Sequence, residues 1–107
     1  MTENIKKKQL GSSGIKVSAM GLGCMGMSEF YGAPIEISEG IRLIHHTLEH
    51  GINFFDTAPN YGHGTGEERL GKALKGVDRS KIVINTKFGH THTGTLNFNS
   101  NYIRESL

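Results

Sequence analysis

Two kinds of apolar run alternate along this chain. Ile52-Asn53-Phe54-Phe55 is a short β-branched and aromatic stretch entered through Gly51, the pattern of a buried strand in a parallel sheet, and it stops on a carboxylate, Asp56. Lys81-Ile82-Val83-Ile84-Asn85-Thr86-Lys87 predicts a second β-branched strand, again finishing on a charge. Before the first of these, Ile41, Ile44 and Leu48 recur at i, i+3 and i+7, which predicts an amphipathic helix with Ser38 as its N-cap and Gly51 as its end. Between the two strands, Thr65-Gly66-Glu67-Glu68 fits a capping box. Leu70, Ala73 and Leu74 would form the inner stripe of the helix it opens, and Gly76 would close it.

The remaining segments are less periodic. Leu10 to Val17 reads as two short extended pieces about a Gly/Ser turn, a hairpin signal, and Ser18 to Gly23 as a small-residue strand. Cys24 to Ala33 is a loop rich in Gly, Met and aromatics, closed by Pro34. Phe88 to Asn101 is Gly, Thr, His and Asn without period and predicts a loop, after which Ser100 would cap a helix starting at Tyr102 and Ile103. Strands alternating with helices of about ten residues mean βαβ units and a parallel sheet, so the fold class is α/β.

Composition narrows the setting. The 107 residues allow at most one small domain. A formal net charge of +2, from 12 basic and 10 acidic residues, offers no field for nucleic acid. The single cysteine, Cys24, excludes an internal disulfide. The amino terminus lacks a signal-like apolar run, and no stretch is long enough to cross a bilayer. The expectation is a cytoplasmic protein with neither nucleic acid nor membrane as a partner. The Lys6-Lys7-Lys8 run reads as a solvated end. Oligomeric state is not written in the sequence.

The candidate chemistry lies at the strand ends. Asp56 and Lys87 are about 30 residues apart, the length of one βα unit, which sets both charges at equivalent ends of parallel strands. Tyr61 follows Asp56 on a glycine-bounded loop. A phenol is a poor proton donor near neutrality, but an ammonium beside it favours the phenolate, and a carboxylate keeps that ammonium charged. Asp56, Lys87 and Tyr61 together predict a tyrosine acting as general acid toward a carbonyl oxygen. The alternative is a structural ion pair beside a packing tyrosine. His46 and His50 have metal-ligand spacing on a helix, but no third ligand is in register, so no metal is expected. Cys24 has no neighbouring base in the sequence and reads as a small loop residue rather than a nucleophile. Gly21 to Gly26 spells GxGxxG, yet a loop rather than a helix follows, and the carboxylate at the end of the next strand, Asp56, comes about 30 positions after Gly26, where a Rossmann fingerprint needs one at about 20.

Four ordered blocks resemble the aldo-keto reductase family: Gly21-Leu22-Gly23-Cys24-Met25-Gly26, Phe55-Asp56-Thr57-Ala58-Pro59-Asn60-Tyr61-Gly62, Gly66-Glu67-Glu68-Arg69-Leu70-Gly71-Lys72-Ala73-Leu74 and Thr86-Lys87-Phe88-Gly89. The resemblance implies a (β/α)8 barrel, of which this chain would hold the N-terminal part, a hairpin and about three βα units. It implies NADPH-dependent reduction of an aldehyde or ketone, with Asp56, Tyr61 and Lys87 as three members of a catalytic Asp-Tyr-Lys-His set and Tyr61 as proton donor. It also implies that Gly23, Cys24 and Met25, with Asp56, border the cofactor. Tyr31 and Phe88 are weaker candidates for the substrate wall. The histidine of the set would fall beyond Leu107, and His90 and His92 do not replace it.

A barrel of this kind takes about 250 residues, so the part present would leave apolar strand edges unpaired, and the resemblance, which puts most of the adenine and phosphate site on later strands, implies that the residues present would grip only the nicotinamide end of the cofactor. Two readings follow. The chain is part of a carbonyl reductase, or it is a truncated, inactive barrel remnant that acts, if at all, through association with another chain.

Overall fold

The computed structural model of the chain describes residues 5–25 and 36–107, and Tyr31 therefore lies outside the described residues. The chain opens with an antiparallel hairpin of β1 (Lys7–Gln9) and β2 (Lys16–Ser18). Leu10 to Ile15, expected to contribute strand, forms the turn instead: Ser13 Oγ donates to Leu10 O and accepts from Ile15 N–H, drawing the backbone round within six residues. The first strand is displaced outward onto Lys7-Lys8-Gln9, exposed residues that carry no apolar signal to read, while the second keeps the buried Val17 at its centre.

Three short parallel strands follow, β3 (Leu22–Gly23), β4 (Phe54–Asp56) and β5 (Val83–Asn85), in the order β3-β4-β5. Register sets Leu22 opposite Phe55 and Gly23 opposite Asp56 on one side, and Phe55 opposite Ile84 and Asp56 opposite Asn85 on the other. Each strand is shorter than its apolar run because its entry is used otherwise. Ser18, for example, ends β2 rather than starting a strand. Its backbone N–H donates to Asn53 Oδ1 at 2.7 Å, Asn53 N–H donates to Ser18 Oγ at 3.1 Å, and Asn53 Nδ2 reaches Lys16 O. Asn53 thus clamps the hairpin to the foot of β4.

The helices α1 (Ile37–Glu49) and α2 (Thr65–Ala73) pack on each other and on one face of the sheet. Ile44 and Phe55 are fully buried there, with Cys24, Leu70, Ala73, Leu74 and Ile82 completing the core and Ile41 and Leu48 packed against it. Burying a side chain of that size contributes about 1.5–3 kcal/mol. The apolar stripes predicted for both helices therefore face where the pattern puts them. His45 Nε2, from the same helix, bonds Ala73 O at 2.8 Å and ties α1 to the end of α2.

The caps differ from expectation. The chain enters α1 at Glu36, extended and without a side-chain cap, so Ser38 sits inside the first turn. Gly64 rather than Thr65 is the N-cap of α2, at φ 100°, a left-handed conformation that favours glycine, and the Thr65 hydroxyl turns back to Gly62 O. A 3₁₀ turn over Tyr61–Gly64 causes this, because it delivers the chain to the helix already coiled and leaves no extended residue for a capping box. Phe88 to Asn101 also departs from a plain loop. It holds a second hairpin, β6 (Gly89–His90) with β7 (Leu96–Asn97), whose turn is gathered by the Thr91, Thr93 and Thr95 hydroxyls. The last helix, α3 (Ser100–Ser106), is capped by Asn99, whose side chain accepts from Asn101 N–H.

Two outcomes test this packing. A Cβ at Gly66 would lie 2.8 Å from Tyr61 Cβ and 3.0 Å from Tyr61 O, whereas one at Gly71, on the same helix, would meet nothing within 4 Å. In urea unfolding of the full chain, Gly66→Ala is expected to lose about 1–3 kcal/mol and Gly71→Ala to gain up to about 1 kcal/mol. Cys24 is 1% exposed, and burial followed by the charge of Asp56 pushes its thiol pKa up from 9.0 to about 11. Since the thiolate is the nucleophile, alkylation of Cys24 near neutral pH is expected to be at least about 100-fold slower in the folded chain than in denaturant.

Candidate active site

Side chains alternate across a strand, so Phe55 points at the helices while Phe54 and Asp56 point to the opposite face. On that face Asp56 stands between two register partners of different kinds. Gly23 has no side chain, and a Cβ placed there would meet nothing within 4 Å, which leaves open space beside the carboxylate. Asn85, on the other side, donates from Nδ2 to Asp56 Oδ1. An open cavity of about 450 Å³ runs along this face, bordered by Val17, Gly21, Gly23, Phe54 and Asp56.

Lys87 lies two residues past its strand. It is therefore not level with Asp56, as equal strand ends would require. Asn85 takes that row, and period-2 alternation returns Lys87 to the same face one step further out. The lysine stem reaches back. Its Nζ donates to Asp56 Oδ1 and Oδ2 at 3.1 Å each, to Thr57 O at 2.9 Å and to Tyr61 Oη at 3.1 Å, and it stands 4.9 Å over the Tyr61 ring. Carboxylate, carbonyl and phenol oxygen together use the three donors of the ammonium. Partial burial alone would lower the Lys87 pKa. The hydrogen bonds to Tyr61 and Asp56 and the charge of Asp56 outweigh it, so the group stands above its ordinary 10.5.

The scaffold holds both ends of this arrangement. Thr57 N–H donates to Asn85 O at 2.8 Å, extending the β4–β5 ladder one step and aiming Thr57 O at Lys87. Thr86, pointing away from the mouth, donates from Oγ1 to Glu67 Oε2 at 2.7 Å, which binds the strand end carrying Lys87 to the first turn of α2, directly after the segment carrying Tyr61. Asn85, the Thr57 carbonyl and Glu67 are absent from a reading by charge type alone. Strand alternation back from Lys87 is the signal that finds Asn85.

The other sequence candidates separate. Gly23 is exposed beside Asp56, and Met25 is half-buried. Cys24 turns into the core while its N–H donates to Asp56 O at 2.9 Å, so only its backbone remains at the rim. Phe88 is 56% exposed and meets Phe98 edge to face, with centroids 6.4 Å apart. His90 and His92 stand exposed on the β6–β7 hairpin, where His92 packs against Gly64. His46 and His50 stack at the end of α1, and His50 Nδ1 bonds His46 O. Among the described residues no three His, Cys, Asp or Glu side chains converge as a metal site, and no helix is long and apolar enough to cross a membrane.

Residues 19–107 match the Aldo/keto reductase family. The chain is 44% identical over 90 residues to "Probable aldo-keto reductase 1" of Glycine max, an alignment covering 84% of this chain and 26% of that protein. A crystal structure from Pseudomonas aeruginosa, assigned to the aldo-keto reductases, superposes with a TM-score of 0.83 at 32% identity, over 98% of this chain and 41% of its own. The holo form of an aldo-keto reductase from Bacillus halodurans gives 0.81 at 36% identity, over 96% and 34%. The chain thus spans about a quarter to two fifths of the length of these relatives, and its fold is that of the N-terminal part of their barrel. On this sequence match and this superposition, the chain belongs to the aldo-keto reductase family.

Proposed function

We propose that this chain carries the catalytic rim of an NADPH-dependent carbonyl reductase, in which Tyr61 protonates the oxygen of an aldehyde or ketone as it becomes an alcohol. The observation that carries the reading is the Lys87 ammonium, which donates to the Tyr61 oxygen while Asp56 and Thr57 O occupy its other donors. Because Tyr61 Oη accepts from Lys87, its own proton is free for an incoming oxygen. The positive charge alongside stabilises the phenolate left when that proton departs. Asp56 keeps Lys87 in place and charged.

The residues fit the reactive end of the cofactor. Gly23 gives a flat, open ledge in the same row as Asp56, and Cys24 and Met25, next along the chain, would continue the rim, Cys24 by its backbone, whose N–H donates to Asp56 O. When bound, the reduced nicotinamide supplies the hydride. Gly23, Met25 and Asp56 would hold that ring beside the Tyr61 hydroxyl. A cytoplasmic setting and a small carbonyl compound as partner, with no nucleic acid or membrane, belong to the same proposal.

A second reading rests on one observation. Among the described residues β3 and β5 each pair on one side only, so a chain that binds another through these edges, without turnover, is the alternative.

Oxidation of NADPH by the purified chain with an aldehyde, followed by absorbance, separates the two. Saturable turnover that falls roughly 10²–10⁴-fold in Tyr61→Phe is the expected result. Turnover unchanged in Tyr61→Phe overturns the role of the phenol, and silence of the wild-type chain favours association. The pH dependence follows from Lys87. Its pKa is raised on folding, so its contribution to stability is complete below 10.5 and is lost as pH rises through the higher folded value. The stability difference between wild type and Lys87→Met is therefore expected to stay level from about pH 7 to about pH 10 and to shrink above that range, as read by urea unfolding.

A further inference from the structure

We propose that Asn85 is a positioning residue of this site, its side-chain amide holding the Asp56 carboxylate in the orientation from which both oxygens face Lys87. The inference rests on the reading that Asp56, Lys87 and Tyr61 act as one unit, and it adds a member that chemical type does not suggest.

The argument starts from exposure. The side chains of Lys87 and Asp56 are 45% and 41% exposed. An ion pair that open is screened by water and opposed by the rotamer freedom of both side chains, so it does not hold a geometry by itself. Yet both carboxylate oxygens lie 3.1 Å from Nζ. Something must stop the carboxylate from turning to solvent. Of its two register partners, Gly23 has no side chain, which leaves Asn85 as the lateral support.

The chemistry of Asn85 suits that task. Its Nδ2 donates to Oδ1, the oxygen Lys87 also shares, and leaves Oδ2 to the ammonium. An amide adds a donor without adding charge. A lysine or arginine in its place would compete with Lys87 for the carboxylate, an aspartate would repel it, and an aliphatic side chain would offer nothing. The amide is itself held at its base, because Asn85 O accepts from Thr57 N–H at 2.8 Å and the next residue, Thr86, is tied to Glu67. Backbone and side chain of Asn85 therefore grip consecutive parts of the same strand end, Thr57 and Asp56.

The test is side-chain NMR on the full chain. In the wild type the Lys87 ε-methylene is expected to be ordered and shifted upfield by the Tyr61 ring, over which Nζ stands at 4.9 Å. Asn85→Leu, close in size but without a donor, is expected to lose that order and at least half of the ring-current shift, while the Phe55 and Ile44 core signals stay in place. Asn85→Gln, which keeps the amide on a longer arm, is expected to recover most of both. Lys87 equally ordered in wild type and Asn85→Leu overturns the inference, as does Asn85→Gln behaving like Asn85→Leu. Should the leucine variant fail to fold, Asn85→Ala takes its place with the same two outcomes. Turnover distinguishes this inference from the function it rests on. A drop on the order of 10- to 100-fold in kcat with KM unchanged is expected in Asn85→Leu. A wild-type chain that turns nothing over, yet shows the Lys87 response, would remove the proposed reaction and leave the positioning role standing.

Discussion

An ammonium group with three acceptors is the interaction on which this structure turns. The Lys87 side chain is long and flexible, and such a chain finds one geometry only when every donor at its tip is engaged. Here the acceptors come from different places: a carboxylate at the end of β4, a main-chain carbonyl one residue later and a phenol from the turn beyond. Together they convert a mobile point charge into a fixed one. A fixed ammonium donating to the Tyr61 oxygen gives that hydroxyl a defined direction.

The rest of the fold can be understood as the means of holding those acceptors still. Phe55, buried against Ile44 and Leu70, anchors β4 so that Asp56 and Thr57 emerge at a set height. Gly66 lets the first turn of α2 pack directly against the backbone and Cβ of Tyr61. The Thr86–Glu67 hydrogen bond then joins that turn to the strand end carrying Lys87. Cys24 shows the same economy from the other side. Its thiol fills the core and its backbone N–H binds the Asp56 carbonyl, so a residue at the end of β3 supports the site without presenting its sulfur to it.

Elements that bury an apolar stripe were legible in the residues, and elements held by polar hydrogen bonds were not. Ile41, Ile44 and Leu48, or Leu70, Ala73 and Leu74, repeat with the period of a helix face because one side of each helix meets the sheet. The β6–β7 hairpin has no such stripe. It is gathered by threonine hydroxyls, whose pattern is indistinguishable from that of a loop. The caps of α1 and α2 eluded the pattern for a related reason. Ser38 and Thr65 are good capping types, but the path of the incoming chain decides whether a residue occupies the cap, and neither does.

The sequence by itself determined that strands alternate with helices, that Asp56 and Lys87 lie one βα unit apart, and that a tyrosine follows the first of them, because each of these is a matter of spacing along the chain. Only the tertiary structure decided that Lys87 stands two residues beyond its strand, that Asn85 fills the row opposite Asp56, and that Asn53 and Glu67 tie separate segments together. Register and long-range hydrogen bonds depend on how strands slide past one another. That offset is settled by the packing of the whole core, and no local run of residues encodes it.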